Sequence, residues 1–231
     1  MIGVIETTGD RCSVAILGDA AGTAERPAVR ARTESGIRNA HDRLLADMFA
    51  ASLDIASASA DQLEGIAVAV GPGSFTGIRI GISFAIGLGL ALDVPLIPVS
   101  ALDAVAWGGR DIAGLTARSR LLALVPDRRG DVYSALYNLH PRFQRLTAPY
   151  NVPLVDIPDM VDENVIVAGP GGELLGEEYN PLSQTILPLD AITVGFYGWE
   201  LMRRGLCVAP HQVQPLYVSA ATPTADRTAK G

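Results

Sequence analysis

The most distinctive stretch of the chain is Gly71-Pro72-Gly73-Ser74-Phe75-Thr76-Gly77-Ile78-Arg79-Ile80-Gly81. It joins a short apolar run, which begins at Gly65, to a longer one that ends near Leu92. Glycines on both sides of a proline favour a sharp turn whose backbone approaches its neighbours closely. The sequence therefore predicts a buried strand, a tight turn and a helix over 75–92.

Small residues recur at every fourth position of this predicted helix, at Gly77, Gly81, Ala85 and Gly89. Residues with that spacing share one face of a helix. Each glycine costs a helix about 1 kcal/mol relative to alanine, so we infer that this face allows close approach of another helix, from this chain or from a partner. An ordinary core helix remains the alternative. A membrane span is rejected, because the run is shorter than the roughly 20 residues that a bilayer requires and Arg79 interrupts its start.

The composition is that of a packed, acidic protein. Of the 231 residues, 48% are hydrophobic and 19% are charged, and the formal net charge is −7. This length accommodates one large domain or two small lobes. The negative charge gives no general attraction to nucleic acid or to an anionic membrane, so any RNA contact is expected to be local or supplied by a partner. The one lysine, Lys230, lies next to the C-terminal residue, which excludes a lysine nucleophile or a phosphate-loop lysine in the body of the chain.

The two cysteines, Cys12 and Cys207, are far apart and lack metal-binding spacing. This is typical of buried thiols in a cytoplasmic protein. Residues Met1 to Ile5 form a strand pattern without the basic region and cleavage site of a signal peptide. We therefore expect a cytoplasmic protein that does not contact a membrane.

A strand-turn-strand unit occurs twice in the sequence. The segment from Val4 to Ser13 aligns without a gap with that from Val125 to Ser134, and an acid, Glu6 or Asp127, ends the first strand of each copy. Farther on, the apolar run 165–168 leads into a second Gly-Pro-Gly turn, as the run 65–70 leads into the first. Chance similarity is the alternative for two short hairpins, but matching elements in the same order favour an internal repeat.

The repeat predicts an α/β fold with two lobes of similar plan, each a mixed sheet flanked by helices. We place the N-terminal lobe at residues 1–104, a smaller C-terminal lobe at 105–219 and a flexible tail at 220–231. A helix predicted over 193–205 is a candidate to pack back on the first lobe. Ligands in such folds bind where turns at the carboxyl ends of strands meet.

Two repeated lobes that each begin with an acid-bearing hairpin resemble the actin/hexokinase-like (ribonuclease H-like) superfamily. Within it, the stretch 71–81 is similar to the signature of the TsaB (YeaZ) family. The segments 5–8, 12–15 and 127–133 are also similar to that family, so the likeness covers nearly the whole chain in order.

The resemblance implies a role in making N6-threonylcarbamoyladenosine on tRNAs that read codons beginning with A. The chain would be a non-catalytic subunit that binds and activates the transferase TsaD, joined by the ATPase TsaE. Alone it would form a homodimer, and it would reach tRNA only through the complex. The resemblance implies no cofactor of its own, with ATP or ADP possible only in the complex with its partners.

The resemblance also implies that the helix after the glycine turn carries the homodimer and TsaD-docking surface. The residues assigned to it are Phe75, Thr76, Gly77, Arg79, Ile80, Gly81, Phe84, Ala85 and Leu88. From the small-residue face we expect Gly81→Leu to abolish self-association while the lobe stays folded.

A vestigial nucleotide site is a second implication of the resemblance. Its residues lie in the turns and are Thr7, Thr8, Gly73, Ser74 and Gly171. Backbone amides in such turns bind anions, and the favoured alternative is that these glycines only make tight turns. Glu6 stands where the family usually has aspartate, and the extra methylene displaces the carboxylate by roughly an ångström, which disfavours metal chemistry.

Enzymatic alternatives are an actin-fold ATP-dependent kinase or transferase and a peptidase-like enzyme. TsaD-type catalysis uses a metal held by two histidines one helical turn apart, whereas here Leu45 follows His41 at that spacing, so no metal site is expected. A nucleophilic Ser13 or Ser74 requires a histidine base, and none lies near either serine in sequence.

Overall fold

The computed structural model describes residues 1–19, 26–37, 41–110, 120–162, 164–175, 184–185 and 187–218. The tail predicted over 220–231 lies outside the described residues. Within the described ranges the chain forms two mixed β-sheets and four α-helices.

The first sheet has the strand order β3-β2-β1-β4-β5. Strands β1, β2 and β3 are antiparallel, whereas β4 and β5 run parallel to β1. Every residue of β1 and β4 is buried, as expected for central strands covered on both faces. The strands are β1 (Ile2–Glu6), β2 (Cys12–Asp19), β3 (Pro27–Ser35), β4 (Gly65–Gly71) and β5 (Leu96–Ser100).

The second sheet has the strand order β11-β10-β6-β7-β8, and β9 also pairs with β7. Here β6 and β7 are antiparallel, and β10 is parallel to β6. The strands are β6 (Arg120–Pro126), β7 (Val132–Asn138), β8 (Gln144–Arg145), β9 (Tyr150–Val152), β10 (Val165–Ala168) and β11 (Gln184–Thr185).

Helices cover both faces of the first sheet. The helices are α1 (His41–Ile55), α2 (Phe75–Leu92), α3 (Ala101–Gly109) and α4 (Ala191–Arg203). On one face, α1 and α2 pack on the sheet through residues such as Phe49 and Ile78. On the other face, α4 packs on it through Val194 and Trp199. Because α3 packs on the second sheet and on α4, these two helices lie between the sheets. The predicted fold class, two mixed sheets flanked by helices, is confirmed.

The internal repeat is real in topology, but the gap-free alignment of the two hairpins is wrong. Strand β1 pairs antiparallel with β2 and parallel with β4, and β6 pairs in the same way with β7 and β10. Ile5 is paired with Val14, whereas its aligned counterpart Pro126 is paired with Val132, so the second hairpin is three residues shorter. The residues that coincide in the two turns conceal this difference in length.

The two Gly-Pro-Gly turns begin with the same glycine conformation but differ after it, because the Gly71-Pro72 bond is cis and only the first turn has a second glycine, Gly73, with a positive φ. Gly71 and Gly169 have φ angles of 107° and 105°, which residues with a side chain rarely adopt. The first turn leads into the 18 residues of α2, whereas the second leads only into a short 3₁₀ turn over Pro170–Leu174. The boundaries at residues 104 and 219 stay a prediction, and α4, which lies in the second segment, packs on the first sheet.

Helix α2 is the only helix in the described part of the chain that could cross a membrane on the grounds of length and composition. Its mean hydropathy is 1.7 and a third of it is buried. Core helices of soluble proteins pass the same test, so this is weak evidence for a membrane span.

Candidate functional site

The β1–β2 turn and the turn between β4 and α2 pack directly on each other. The backbone N–H of Ser74 donates to the carbonyl of Thr8 at 2.7 Å, and the hydroxyl of Thr7 donates to the carbonyl of Gly77 at 2.8 Å. A Cβ atom at Gly73 would lie 2.5 Å from the carbonyl oxygen of Thr8. The structure therefore brings together four of the residues predicted to form a nucleotide site, Thr7, Thr8, Gly73 and Ser74.

Several of the amides and hydroxyls in this contact are already hydrogen-bonded within the chain. Both the N–H and the hydroxyl of Thr8 donate to Glu6 Oε1 at 2.6 Å, and the N–H of Gly9 donates to the same atom at 3.2 Å. Ser74 Oγ accepts from the N–H of Gly77 and caps α2. Through these bonds the two turns hold the beginning of α2 in place. Nucleotide binding here stays a prediction.

The fifth residue of that predicted site, Gly171, lies in the second lobe and packs on β6. A Cβ atom there would lie 2.7 Å from Leu124 Cβ in β6. Another residue of the second lobe, Arg128, reaches the turn between β4 and α2. Its Nη2 donates to Ser74 Oγ at 2.7 Å. This bond joins the β6–β7 turn to the beginning of α2.

Glu6 is completely buried at the end of β1. Burial raises the pKa of its carboxyl group to about 7, an effect that the hydrogen bonds from Thr8 and Gly9 oppose and the nearby Asp190 carboxylate reinforces. Its Oε2 has no hydrogen-bond partner among the described residues. The carboxyl group therefore holds the β1–β2 turn in place, and its surroundings favour the neutral form.

The corresponding acid of the second lobe, Asp127, is also occupied. Its Oδ1 accepts from the N–H of Arg128 at 2.6 Å and from the hydroxyl of Tyr133 at 3.4 Å, and its Oδ2 accepts from Asn151 at 3.1 Å. A small cleft is lined by Asp127, Arg129, Tyr133, Asn151 and Val218. Hydrogen bonds within the chain thus engage both acids of the repeat.

The small-residue face of α2 is covered by its own chain, so its assignment to a partner surface is wrong. A Cβ atom at Gly77 would lie 1.9 Å from the carbonyl oxygen of Thr7, and one at Gly81 would lie 2.3 Å from Thr7 Oγ1. Ala85 and Gly89 are buried as well. The small residues let the β1–β2 turn and the first sheet approach α2 closely. Gly81→Leu would therefore disturb the fold rather than leave it intact.

The opposite side of α2 is open. We define the α2 face by its exposed residues, which are Phe75, Thr76, Arg79, Ser83, Gly87, Leu90 and Ala91. Ile80, Phe84 and Leu88, which the sequence also assigned to the interface, are half-buried beside it. Of the residues that the sequence assigned to a partner surface, Phe75, Thr76 and Arg79 are exposed on this side of α2, and their role in an interface stays a prediction.

Sequence reasoning missed Ser83, Gly87, Leu90 and Ala91 of the α2 face. The sequence does contain a signal for this side of the helix. A second set of residues is spaced by four and includes the one charged side chain of α2; its members are Arg79, Ser83, Gly87 and Ala91. Of two such stripes, the one that contains an arginine and a serine is the better candidate for the solvent side.

The residues considered for catalysis are not assembled into a catalytic group. Ser74 Oγ is bonded to Gly77 and Arg128, and Ser13 Oγ accepts from the N–H of Ala191 at 2.8 Å. His41 begins α1 and is buried, with no partner for its Nε2 among the described residues. No group of three or more metal-ligating side chains occurs within the described ranges.

Comparisons with known proteins agree with this geometry. The family model for TsaD, tRNA N6-adenosine threonylcarbamoyltransferase, matches residues 34–145. The chain is 30% identical to the tRNA threonylcarbamoyladenosine biosynthesis protein TsaB of Escherichia coli (strain K12), over 93% of this chain and 92% of that protein. It is 38% identical to the TsaB of Bacillus subtilis (strain 168), over 44% of this chain and 42% of that protein.

The fold is shared with a solved relative. The structure of YeaZ from Pseudomonas aeruginosa is similar with a TM-score of 0.73 and 25% identity, covering 93% of this chain and 99% of that one. With the nearly full-length match to the Escherichia coli protein, this confirms the resemblance that the glycine-turn stretch carried. The chain belongs to the TsaB (YeaZ) family, a family named for tRNA threonylcarbamoyladenosine biosynthesis.

Proposed function

We propose that this chain is a partner subunit that binds and activates a TsaD-type transferase in threonylcarbamoyladenosine synthesis on tRNA, without being the transferase itself. Its relatives in Escherichia coli and Bacillus subtilis are named for this biosynthesis. In this proposal a TsaE-type ATPase joins the assembly, and tRNA is reached through the complex.

The observation that carries the proposal is the α2 face. It is a continuous exposed surface with one charged side chain, Arg79, on a helix of which two thirds is unburied. Its large apolar side chains, Phe75 and Leu90, are exposed beside polar residues, and exposed apolar surface rimmed by polar groups marks protein interfaces. The β1–β2 turn packs against the opposite side of α2 and holds the helix in place. Docking on the α2 face therefore requires little reordering.

The similarity to TsaD supports a transferase subunit as the occupant. The TsaD family model covers residues 34–145, a range that includes all of α2. A TsaD-type protein is therefore expected to have its own counterpart of this helix, and two such helices can pack side by side. We propose that a second copy of the chain occupies the same face when the transferase is absent.

A non-catalytic role is supported by the state of the two turn acids. Glu6 is completely buried and receives three hydrogen bonds from Thr8 and Gly9, which leaves it poorly placed to hold a metal ion. Asp127 is engaged by three donors of its own lobe. As a check, the purified chain alone is expected to turn over no ATP, and robust turnover would favour the kinase or transferase alternative.

The test of the docking proposal is Gly87→Arg. A Cβ atom at Gly87 meets nothing within 4 Å, so the isolated subunit accepts the arginine while the α2 face is obstructed. We expect isothermal titration with the TsaD-type subunit to show at least tenfold weaker binding, and threonylcarbamoyl transfer to tRNA to fall in parallel. Sedimentation of the variant alone should show loss of the homodimer.

Gly36→Arg is the matched control, because Gly36 also has open space around its Cβ position but lies outside α2. This variant should bind and support transfer as the wild type does. Wild-type affinity and full transfer by the Gly87→Arg variant would refute docking through the α2 face.

A further inference from the structure

After α4 the chain returns across the first lobe as a C-terminal strap, which we define as residues 205–218. Val208 and Leu96 exchange two backbone hydrogen bonds of 2.9 Å at the edge of β5. Val213 is buried in the core beneath α2, and the N–H of Leu216 donates to the carbonyl of Val70 at 2.8 Å. The strap is thus fixed to the first lobe along its length.

Two glycines make room for the strap beside α2. A Cβ atom at Gly89 would lie 3.0 Å from Pro210 Cγ, and one at Gly71 would lie 2.9 Å from the carbonyl oxygen of Leu216. The close packing that the small residues permit is therefore partly with this segment. It brings the end of the strap to the beginning of α2.

Close to its last described residue, the strap forms an exposed cluster with two residues of the α2 face. The rings of Tyr217 and Phe75 stack with centroids 5.3 Å apart and an angle of 28° between their planes. Arg79 Nε donates to the hydroxyl of Tyr217 at 3.1 Å, and its guanidinium carbon lies 3.9 Å from the centroid of Phe75. Both rings remain about half exposed, at 51% for Phe75 and 50% for Tyr217.

This cluster has the properties of a binding hot spot. Tyrosine and arginine are enriched among the residues that dominate interface energies. A free arginine side chain loses about 2 kcal/mol of rotamer entropy when it is ordered, whereas Arg79 is already held against Phe75 and Tyr217 in the unbound subunit. Prior ordering of this kind increases affinity by lowering the entropic cost of association.

We propose that Tyr217 is a positioning and contact residue of the docking surface: the strap holds Phe75 and Arg79 in their binding positions and adds its own ring to the contact with the TsaD-type subunit. The matching partner surface presents a carboxylate to the guanidinium and a flat apolar side chain to the two rings. This inference rests on the proposed docking through the α2 face, which the cluster extends at its N-terminal end.

Three substitutions at Tyr217 test the inference by titration against the TsaD-type subunit. Tyr217→Ala removes the ring and the hydrogen-bond acceptor and should weaken binding about tenfold or more. Tyr217→Phe keeps the stacked ring and should weaken binding only about threefold. Tyr217→Trp restores a large ring and should recover most of the affinity that alanine loses.

A double-mutant cycle separates this role from a merely structural one. If Tyr217 positions Arg79, the pair Arg79→Ala and Tyr217→Ala will cost less together than the two single changes combined. Tyr217→Ala should also reduce the salt dependence of binding toward that of Arg79→Ala. Leu206→Ala, at an exposed position of the strap away from α2, is the control and should bind as the wild type does.

The outcomes distinguish the inference from the proposed function. Loss of binding in the Gly87→Arg variant together with wild-type binding by Tyr217→Ala would overturn the role of the strap and leave docking through α2 intact. Wild-type binding by both variants would overturn both proposals. Thermal unfolding of each variant at the wild-type temperature confirms that the measured changes come from the surface.

Discussion

Glu6 is an acid whose surroundings favour its neutral form. Its carboxyl group is completely buried, and desolvation raises its pKa from an ordinary value of 4.5 to about 7. The titratable groups that face it are the Asp190 carboxylate, which pairs with Arg32 at 3.0 Å, and the thiol of Cys12. Burial, and secondarily Glu6, raises the pKa of Cys12 to about 12, so that thiol stays neutral where Glu6 titrates.

The raised pKa makes stability depend on pH at this one residue. The folded protein holds the proton more tightly than the unfolded chain, so the favourable contribution is complete below pH 4.5 and is lost as pH rises through about 7. A shift of this size corresponds to about 3 kcal/mol. We expect urea unfolding to show that Glu6→Gln gains up to that amount relative to wild type between pH 5 and pH 8.

The amide is a suitable replacement, because its oxygen can still accept the hydrogen bonds from Thr8 and Gly9. Ser59→Ala, at a 3₁₀ turn remote from Glu6, is a control that should leave the pH dependence unchanged. Free energies of unfolding that differ by the same amount at both pH values would show that Glu6 is ionised in the folded state.

Sequence reasoning placed an acid at the end of β1 but did not reveal its environment. The pattern from Ile2 to Glu6 predicted the strand, and the following polar residues predicted the turn. Whether the carboxyl faced a cleft or the interior depended on the donors of Thr8 and Gly9 and on the return of Asp190 from a remote part of the chain. Such long-range contacts leave no local signal.

At the scale of the element, α2 shows how far periodicity can lead. The turn signal and the apolar run predicted a helix over 75–92, and α2 spans Phe75–Leu92. Periodicity identified a face that permits close approach, but the same pattern serves a partner helix and the chain's own turn equally well. Only the contact between Gly77 and Thr7 shows which of the two covers this face.

Two glycines of α2 should respond in opposite ways to the same substitution. At Gly77 a Cβ atom would lie 1.9 Å from a backbone oxygen that cannot move aside, so Gly77→Ala should destabilise the protein by about 2–4 kcal/mol. At Gly87 the Cβ position is open, so Gly87→Ala should stabilise it by about 1 kcal/mol through helix propensity. Chemical denaturation of both variants measures the difference.

Each variant is the control for the other, since both change a glycine within the same helix. Destabilisation of similar size at both positions would show that α2 tolerates no added side chain on either side. The α2 face would then be unsuitable as an open docking surface, whereas opposite signs would agree with the separation of a packed side from an exposed one.

At the scale of the whole molecule, the chain closes the first lobe with an element from its C-terminal part. The face of the first sheet opposite α1 and α2 is covered by α4, which contributes Val194 and Trp199 to that core. The approach is close, because Cβ atoms at Gly195 and Gly198 would lie 2.3 Å from Leu17 and 2.8 Å from Ala67. The sequence named the helix over 193–205 as a candidate to pack back on the first lobe, and α4 lies there. The internal repeat alone does not show that the first lobe depends on this helix to cover its sheet.

This arrangement predicts that a chain ending at Ala104, the expected lobe boundary, will not fold. Without α4 it exposes the apolar face formed by Ile2, Val4, Leu17, Ile97 and Val99. At roughly 2 kcal/mol for each side chain, the loss is about 10 kcal/mol, comparable to the whole stability of a domain. Circular dichroism should show no cooperative thermal transition in the shorter chain, whereas the full-length protein should show one. A cooperative transition in the shorter chain would show that the first lobe is autonomous and that α4 is an addition to a complete core.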